Sequence, residues 1–168
     1  IFMEYRTLGK TGLKISRLGF GGIPIQRIDA AGTRKLMQTL KDAGVNYIDT
    51  ARSYTVSENY LGQALEGIRE HFILATKSMS RDKESILKDI DISLANLRTD
   101  YIDLYQLHNP SPAELEKIIA PGGALEGLME AKTAGKIGHI GLTAHSLAVF
   151  EWALETDWVE TIMFPYNI

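Results

Sequence analysis

Short apolar segments alternate with longer amphipathic segments along most of the chain. The apolar segments predict strands over 17–20, 45–49, 72–76, 102–107, 137–142 and 161–164. Apolar residues at helical spacing between them predict helices over 29–43, 57–66, 83–97, 125–134 and 147–155. Strands and helices that alternate with short connections form βαβ units, so we expect a parallel sheet covered by helices. Before the first strand, two short segments around Gly9-Lys10-Thr11-Gly12 predict a β-hairpin.

Two architectures share this alternation, the doubly wound sheet and the (β/α)₈ barrel. Gly19, Gly21 and Gly22 after the first strand do not have the G-x-G-x-x-G spacing of a dinucleotide-binding turn. Candidate polar groups also come from several strand ends, as in barrel enzymes. Both observations favour the barrel.

The number of elements falls short of a whole barrel. We find six strands and five complete βα units, whereas a (β/α)₈ barrel takes about 250 residues. We therefore expect one α/β domain over residues 1–168, an incomplete, truncated (β/α)₈ TIM-barrel of about six strands with an N-terminal β-hairpin. Its first and last strands would be open edges, which favour self-association.

Four ionisable side chains follow the predicted strands. Asp49 ends the second strand and Tyr54 lies in the loop beyond it, while Lys77 ends the third strand and His108 the fourth. The carboxyl ends of parallel strands meet at one edge, which is where chemistry is done in α/β proteins. The four groups together predict a proton donor with tuned acidity.

Composition excludes several other classes of function. A net charge of −3 gives no reason to expect electrostatic binding to nucleic acid or to anionic membranes. The chain has no cysteine, which rules out disulfides and cysteine-ligated metal centres within it. No apolar run approaches the ~18 residues of a membrane span, and the N-terminal residues lack a signal pattern. The expectation is a cytoplasmic protein with no metal site.

Several segments resemble the aldo-keto reductase family. They are residues 11–22, 49–54, 75–77, 105–110 and 135–143. Residues 141–146 and 163–167 look like a bacterial branch that often carries a cysteine-rich iron–sulfur segment near its C-terminus, and this chain has no such segment. The resemblance implies a (β/α)₈ barrel that binds NADP(H) without a Rossmann domain and reduces small aldehydes and ketones.

The resemblance also implies residue roles. Catalysis would fall to Asp49, Tyr54, Lys77 and His108. Cofactor contacts are expected at Gly22, Ile23, Asp49, Thr143 and Met163. Substrate-pocket positions are expected at Ile25, Asn109 and His145.

This chain departs from the family pattern at the cofactor. Many members hold the nicotinamide amide with a Ser-Asn pair after the fifth strand and a Gln at the sixth. Here those places hold Thr143-Ala144 and Met163, and only Thr143 keeps a polar side chain. The family's loops after strands seven and eight, which grip the cofactor phosphates, are also absent from this sequence.

The chemistry expected of the four groups follows from their acidity. A phenol with a pKa of about 10 is a poor acid at neutral pH, and the Lys77 ammonium is expected to lower the pKa of Tyr54. Asp49 would pair with Lys77 and keep it charged. His108 would hydrogen-bond the carbonyl oxygen or share in proton delivery.

Other polar residues are predicted to be structural. His71 and His139 precede or begin strands and so lie toward the stability face. Ser146 is expected to cap a helix. The cations of Arg52, Arg81 and Lys83 form no patch in the sequence and are expected to be solvated.

Two further functions stay open. The chain could be a non-catalytic remnant that assembles with another chain, because a quarter of the barrel is missing from the pattern. It could also be a Schiff-base lyase with Lys77 as nucleophile, although Asp49 beside Lys77 would favour the protonated, non-nucleophilic amine.

Overall fold

The computed structural model describes residues 3–166 of the chain. The strands are β1 (Tyr5–Thr7), β2 (Lys14–Ser16), β3 (Phe20–Gly21), β4 (Tyr47–Asp49), β5 (Ile73–Ser78), β6 (Ile102–His108), β7 (Ile137–Thr143) and β8 (Thr161–Met163). The helices are α1 (Ala30–Asp42), α2 (Ser57–Ala64), α3 (Lys83–Leu97), α4 (Leu115–Ile119), α5 (Ala124–Thr133) and α6 (Leu147–Leu154). Residue 167, the last of the 163–167 motif, lies outside the described residues.

Strands β3 to β8 form one six-stranded sheet in sequential order, and every neighbouring pair is parallel. A doubly wound sheet reverses its strand order at a switch point, and this sheet has no reversal. Sequential parallel strands joined by helices are the arrangement of a (β/α)₈ barrel. The predicted incomplete barrel is therefore confirmed. Within residues 3–166, β3 pairs only with β4 and β8 only with β7.

The predicted hairpin is also confirmed. Strands β1 and β2 pair antiparallel, with Tyr5 opposite Ser16 and Thr7 opposite Lys14. The Asn46 side chain accepts a hydrogen bond from the Ser16 amide at 2.6 Å and donates one to the Lys14 carbonyl at 2.9 Å. Because Asn46 immediately precedes β4, these bonds hold the hairpin at the amino end of the parallel sheet.

Two of the predicted helices begin at aspartate caps. Asp29 accepts a hydrogen bond from the Gly32 amide at 2.7 Å and starts α1. Asp82 does the same for α3 through the Ser85 amide at 2.9 Å. Gly44, with φ of +80°, follows the end of α1 in the left-handed conformation that glycine favours there.

The first strand is shorter than predicted. The sequence suggested 17–20, but the ladder to β4 begins only at Phe20. The Arg17 amide instead donates to the Glu4 carbonyl at 2.8 Å, and the Ser16 hydroxyl donates to the Leu18 carbonyl at 2.7 Å. Residues before Phe20 therefore belong to the hairpin and its exit turn.

Helix α4 was not predicted. It continues a 3-10 turn over Pro112–Glu114 that begins with a capping box. There Glu114 accepts hydrogen bonds from the Ser111 amide at 2.7 Å and from the Ser111 hydroxyl at 2.8 Å. The helix has only five residues, too few for helical periodicity to show, yet it buries Leu115 and Ile118.

The hydrophobic core joins the strands to the helices. Fully buried side chains from both layers belong to one cluster, among them Met37, Ile48, Leu61, Leu74, Ile86, Ile102, Leu107, Leu128 and Ile140. Burial of this kind contributes roughly 25 cal/mol for each Å² of apolar surface. It fixes the strands, and with them the side chains at the strand ends.

Within residues 3–166, no helix has both the length and the apolar character needed to cross a membrane. The same residues contain no group of three histidine or acidic side chains placed to hold a metal ion.

Candidate active site

Three of the four predicted catalytic residues lie at the carboxyl ends of adjacent strands. Asp49 is the last residue of β4, Lys77 the penultimate residue of β5, and His108 the last residue of β6. Tyr54 lies in the loop between β4 and α2. The structure brings all four side chains together at one edge of the sheet, through the contacts described next.

Lys77 and Asp49 form a buried ion pair. The Lys77 ammonium, which is only 3% exposed, donates hydrogen bonds to Oδ2 of Asp49 and to the Thr50 carbonyl, the latter at 2.8 Å. Gln106 donates to Oδ1 of Asp49 at 2.8 Å. Burial raises the pKa of Asp49, while the charge and hydrogen bond of Lys77 and the hydrogen bond of Gln106 act in the opposite direction.

Tyr54 lies against this pair. The Lys77 ammonium is 5.0 Å from the centroid of the Tyr54 ring, within the range of a cation–π contact. The pKa of the Tyr54 phenol is nevertheless raised, first by burial and then by the negative charge of Asp49. The expectation that Lys77 lowers this pKa is therefore wrong for the structure as it stands. Burial of the phenol is the main reason, and the negative charge of Asp49 adds to it.

His108 completes the group. Its ring meets the Tyr54 ring edge to face with centroids 6.0 Å apart, and its Nδ1 is 3.5 Å from the Ser53 hydroxyl. Burial, together with the positive charge of Lys77 and Arg81, lowers the pKa of His108 to about 4. The imidazole is therefore neutral at pH 7 and can act as a hydrogen-bond donor without a net charge.

The residues assigned to cofactor contacts lie at the same edge but spread across the sheet. Gly22 follows β3 and donates its amide to the Asp49 carbonyl at 2.7 Å. Ile23 is exposed beside it. Thr143 ends β7 and is paired in register with Met163, the last residue of β8, which is 36% exposed. Gly22 and Ile23 therefore follow one open edge of the sheet, and Met163 ends the other.

Gly22 has a packing reason of its own. A Cβ at this position would lie 2.8 Å from the Ser57 hydroxyl oxygen and 2.9 Å from Oγ1 of Thr50. These two hydroxyls are themselves joined by a hydrogen bond of 2.8 Å, and the Ser57 hydroxyl also donates to the Gly22 carbonyl at 3.0 Å. The close approach of β3 to the start of α2 thus requires glycine here.

The three predicted substrate-pocket residues do not share one environment. Ile25 is fully buried in the hydrophobic core, so its side chain offers no surface to a substrate in this structure. Asn109 and His145 are exposed at the carboxyl ends of β6 and β7, and Oδ1 of Asn109 accepts the His145 amide at 3.0 Å. His145 also borders a cavity of about 280 Å³ with Phe150 and Phe164.

Two arginines predicted to be solvated are part of the interior instead. Arg81 is only 6% exposed and donates to the His108 carbonyl at 2.8 Å. Arg52, in the loop that carries Tyr54, is 24% exposed and donates to Oε2 of Glu58 at 2.8 Å. The prediction was wrong for Arg81 because its partners His108 and Glu114 are 27 and 33 residues away. It was wrong for Arg52 because Glu58, only six residues away, is itself buried. Lys83 is more exposed and pairs with Glu130 at 2.9 Å.

Glu58, on α2, holds the loop that carries Tyr54 through a hydrogen bond from Arg52. Its fully buried carboxylate accepts hydrogen bonds from four side chains, which are Arg52, Thr76, Ser93 and Asn96, at 2.8, 2.8, 2.7 and 3.2 Å. The Arg52 amide also donates to the Lys77 carbonyl at 2.9 Å. Thr55, next to Tyr54, has φ of +39°, a conformation that a β-branched residue keeps only where its surroundings impose it.

Sequence reasoning missed Gln106, Arg81 and the carboxylate of Glu58. A signal existed for Gln106, which is two residues before His108 and so shares its face of β6. The two histidines placed on the stability face make contacts of a structural kind. Nε2 of His71 is 3.2 Å from the Val45 carbonyl, and Nδ1 of His139 is 2.7 Å from Glu160.

Comparisons with known proteins agree with this fold. Residues 17–167 match the aldo/keto reductase family. The chain is 32% identical to L-galactose dehydrogenase from Arabidopsis thaliana over 91% of this chain and 52% of that protein. It is also 32% identical to the aldo-keto reductase YhdN from Bacillus subtilis, over 99% of this chain and 54% of that protein.

A solved structure shares the same fold. The holo form of the aldo-keto reductase AKR11C1 from Bacillus halodurans superposes with a TM-score of 0.82 at 33% identity, covering 98% of this chain and 58% of that one. The chain spans about half the length of the curated relatives named above. From the family match and the shared fold, we conclude that this chain belongs to the aldo/keto reductase family.

Proposed function

We propose that this chain carries the carbonyl-activating part of an NADP(H)-dependent reductase that converts small aldehydes and ketones to alcohols. The observation that supports the proposal is the meeting of the Tyr54 phenol and the neutral His108 imidazole beside the buried Lys77–Asp49 pair. A polarised carbonyl oxygen needs one proton donor and one hydrogen-bond donor, and these two side chains provide both.

Tyr54 is the proposed proton donor. A phenol has an ordinary pKa of about 10 and is protonated at neutral pH, and burial and Asp49 raise that pKa further. The proton is therefore present when a substrate arrives. As the proton moves to the developing alkoxide, negative charge appears on the phenol oxygen. The Lys77 ammonium, 5.0 Å from the ring centroid, then stabilises the phenolate.

His108 is the proposed partner of the carbonyl oxygen. Because its pKa lies near 4, it donates a hydrogen bond as a neutral ring and does not compete with Tyr54 as an acid at pH 7. Asn109 and His145 are exposed at the adjoining strand ends and would face the rest of a small carbonyl substrate.

The cofactor, when bound, supplies the hydride. The residues present fit its nicotinamide in part. Met163, paired in register with Thr143, offers a partly exposed apolar side chain for a flat ring, whereas Ile23 is exposed at the opposite edge of the sheet. Oγ1 of Thr143 accepts a hydrogen bond from the Asn109 amide at 3.0 Å, and its own hydroxyl proton has no acceptor among residues 3–166, so it could donate to a carboxamide. Both side-chain oxygens of Asp49 are engaged by Lys77 and Gln106.

The Schiff-base alternative has less support. A nucleophilic lysine must be an uncharged amine, whereas Lys77 donates to a carboxylate and to a carbonyl. We therefore keep the reductase as the proposed activity.

The test is reductase activity of the full chain with a panel of aldehydes. With an aldehyde present, NADPH absorbance should fall with time, and the rate should be lower when NADH replaces NADPH. In Tyr54→Phe the rate should be lower by about 10²-fold or more. Turnover that persists undiminished in Tyr54→Phe would overturn the assignment of the proton donor. If protein fluorescence shows that NADPH binds but no aldehyde is turned over, the proposal that this chain alone is active would be overturned.

A second proposal concerns assembly. Strands β3 and β8 each pair with one neighbour within residues 3–166, and an open strand edge is a template for pairing with another chain. We propose that the chain associates with itself through these edges. The cytoplasmic location expected from the sequence stays a prediction.

A further inference from the structure

Arg81 occupies a position that the proposed mechanism leaves unexplained. It lies in the connection between β5 and α3, at the same edge of the sheet as Tyr54 and His108. Its side chain is only 6% exposed. A guanidinium is always charged, and burying one is costly unless its donors are matched. The cost suggests that the charge serves a purpose at this place.

The guanidinium joins two neighbouring connections at the mouth of the sheet. Its Nη2 donates to the carbonyl oxygen of His108 at 2.8 Å. Its Nε donates to Oε1 of Glu114 at 3.1 Å, in the connection after β6. Its Nη1 donates to the Ser80 carbonyl at 3.3 Å, in its own connection. One side chain thus ties the exit of β5 to the exit of β6.

The bond to His108 lies where the strand stops. His108 is the last residue of β6, and Asn109 after it has φ of +46°, a left-handed turn that takes the chain out of the strand. The Asn109 amide crosses to the Thr143 carbonyl at 2.9 Å. The His108 backbone is therefore held from β7 on one side and by Arg81 on the other.

Charged and titratable groups surround the His108 ring. Lys77 on β5, Arg81 after β5 and His145 after β7 each oppose its protonation. Tyr54 faces the ring from the connection after β4, and Asp49 on β4 is paired with Lys77. Arg81 is the member of this set that also touches the His108 backbone.

We propose that Arg81 is a positioning residue for His108: its guanidinium fixes the end of β6 through the His108 carbonyl and places a permanent positive charge beside the imidazole. The role of this arrangement in catalysis rests on the proposed reductase function. The contact between Arg81 and His108 does not depend on that function. An uncharged, oriented imidazole is what a hydrogen-bond donor to a carbonyl oxygen requires.

The test is an NMR titration of the four histidine rings in the full chain, with His108 assigned from His108→Gln. In Arg81→Gln the pKa of His108 should rise by roughly one unit, as expected on loss of a nearby like charge. Arg81→Lys keeps the charge but loses the several donors of the guanidinium. In this variant the pKa of His108 should stay near the wild-type value, while the Asn109 amide exchanges faster with solvent. Arg17→Gln, at an exposed arginine of the hairpin exit, is the matched control and should change neither quantity.

A second variant covers the case in which Arg81→Gln fails to fold. Glu114→Gln removes the partly exposed carboxylate that offsets Arg81, and the protonation of His108 should then begin at a lower pH. An unchanged His108 titration in Glu114→Gln and in folded Arg81→Gln would overturn the proposal. The titration needs no turnover, so it stands even if the full chain proves inactive with every aldehyde. If the chain is active, the acidic limb of the plot of kcat against pH should move to higher pH in Arg81→Gln, by the same amount as the pKa of His108.

Discussion

Gln106 donates a hydrogen bond of 2.8 Å to Oδ1 of Asp49, while Lys77 holds the other oxygen of the same carboxylate. All three side chains are buried. Since water cannot replace either partner there, both oxygens depend on protein donors. The carboxylate at the end of β4 is thus fixed by β5 and β6 together, and the orientation of Lys77 toward Tyr54 depends on all three strands.

The first prediction concerns this hydrogen bond. Gln106→Leu leaves one buried oxygen of Asp49 without a donor, which should lower the free energy of unfolding by about 1–3 kcal/mol. Urea denaturation followed by circular dichroism measures the loss. Gln38→Leu is the matched control, because Gln38 bonds to Asp42 on an exposed face of α1, and its effect should stay within about 0.5 kcal/mol. Equal losses in the two variants would contradict the role given to Gln106.

The second prediction concerns the coupling between Lys77 and Asp49. Lys77→Met or Asp49→Asn alone leaves one buried charge without its partner, which should cost about 3–5 kcal/mol in each case. The double variant leaves neither charge behind and should cost clearly less than the sum of the single variants. Urea denaturation of the wild type, the two single variants and the double variant completes this double-mutant cycle. Additive losses would mean that the two groups do not interact in the folded chain.

Local patterns predicted most of the fold. Helix α3 has the predicted bounds because periodic apolar residues fill one face and Asp82 caps it. Asp49, Lys77 and His108, three of the four proposed catalytic residues, lie at predicted strand ends because strand ends are short-range features of the sequence. Helix α4 was missed because its five residues are too few to show apolar periodicity, and because it continues a 3-10 turn that the capping box of Ser111 and Glu114 begins.

The parts of the site that the sequence did not predict are those made by buried polar side chains. Arg81 and Glu58 have charged side chains, and a charged residue in a sequence is most often at the surface. Apart from the Ser80 carbonyl beside Arg81, the partners named above are between 6 and 38 residues away along the chain. Whether such a charge is buried follows from the register of β5 and β6, which a single sequence does not specify.

The third prediction concerns Tyr54 as proton donor. Tyr54→Phe keeps the ring against Lys77 and His108 but removes the proton, so kcat/KM for an aldehyde should fall by about 10²-fold or more. The free energy of unfolding should change little, because the structure gives no hydrogen bond to the Tyr54 hydroxyl among residues 3–166. Tyr60→Phe on α2 makes the same change outside the site and should keep full turnover. Comparable activity of Tyr54→Phe and Tyr60→Phe would show that another group delivers the proton.

The fourth prediction follows from the lowered pKa of His108. The unfolded chain binds a proton at this histidine near pH 6.5, whereas the folded protein binds it only near pH 4. Between these values the unfolded state binds more protons, so stability is fully present above about pH 6.5 and is lost as the pH falls toward 4. In His108→Gln the urea concentration at the unfolding midpoint should vary less with pH over this interval. Gln38→Leu, which removes no titratable group, is the control and should keep the wild-type slope. A slope unchanged in His108→Gln would contradict the burial of its ring.

The fifth prediction concerns the open edge formed by β8. Met163 ends this strand and is 36% exposed, so a charge there should oppose pairing with another chain, as lysines do on natural edge strands. Sedimentation of the wild-type chain over a range of concentrations should show reversible self-association that Met163→Lys weakens. Met129→Lys is the matched control, because Met129 is exposed on α5, away from both edges. A monomer at every concentration, or equal weakening by the two substitutions, would show that β8 is not an association surface.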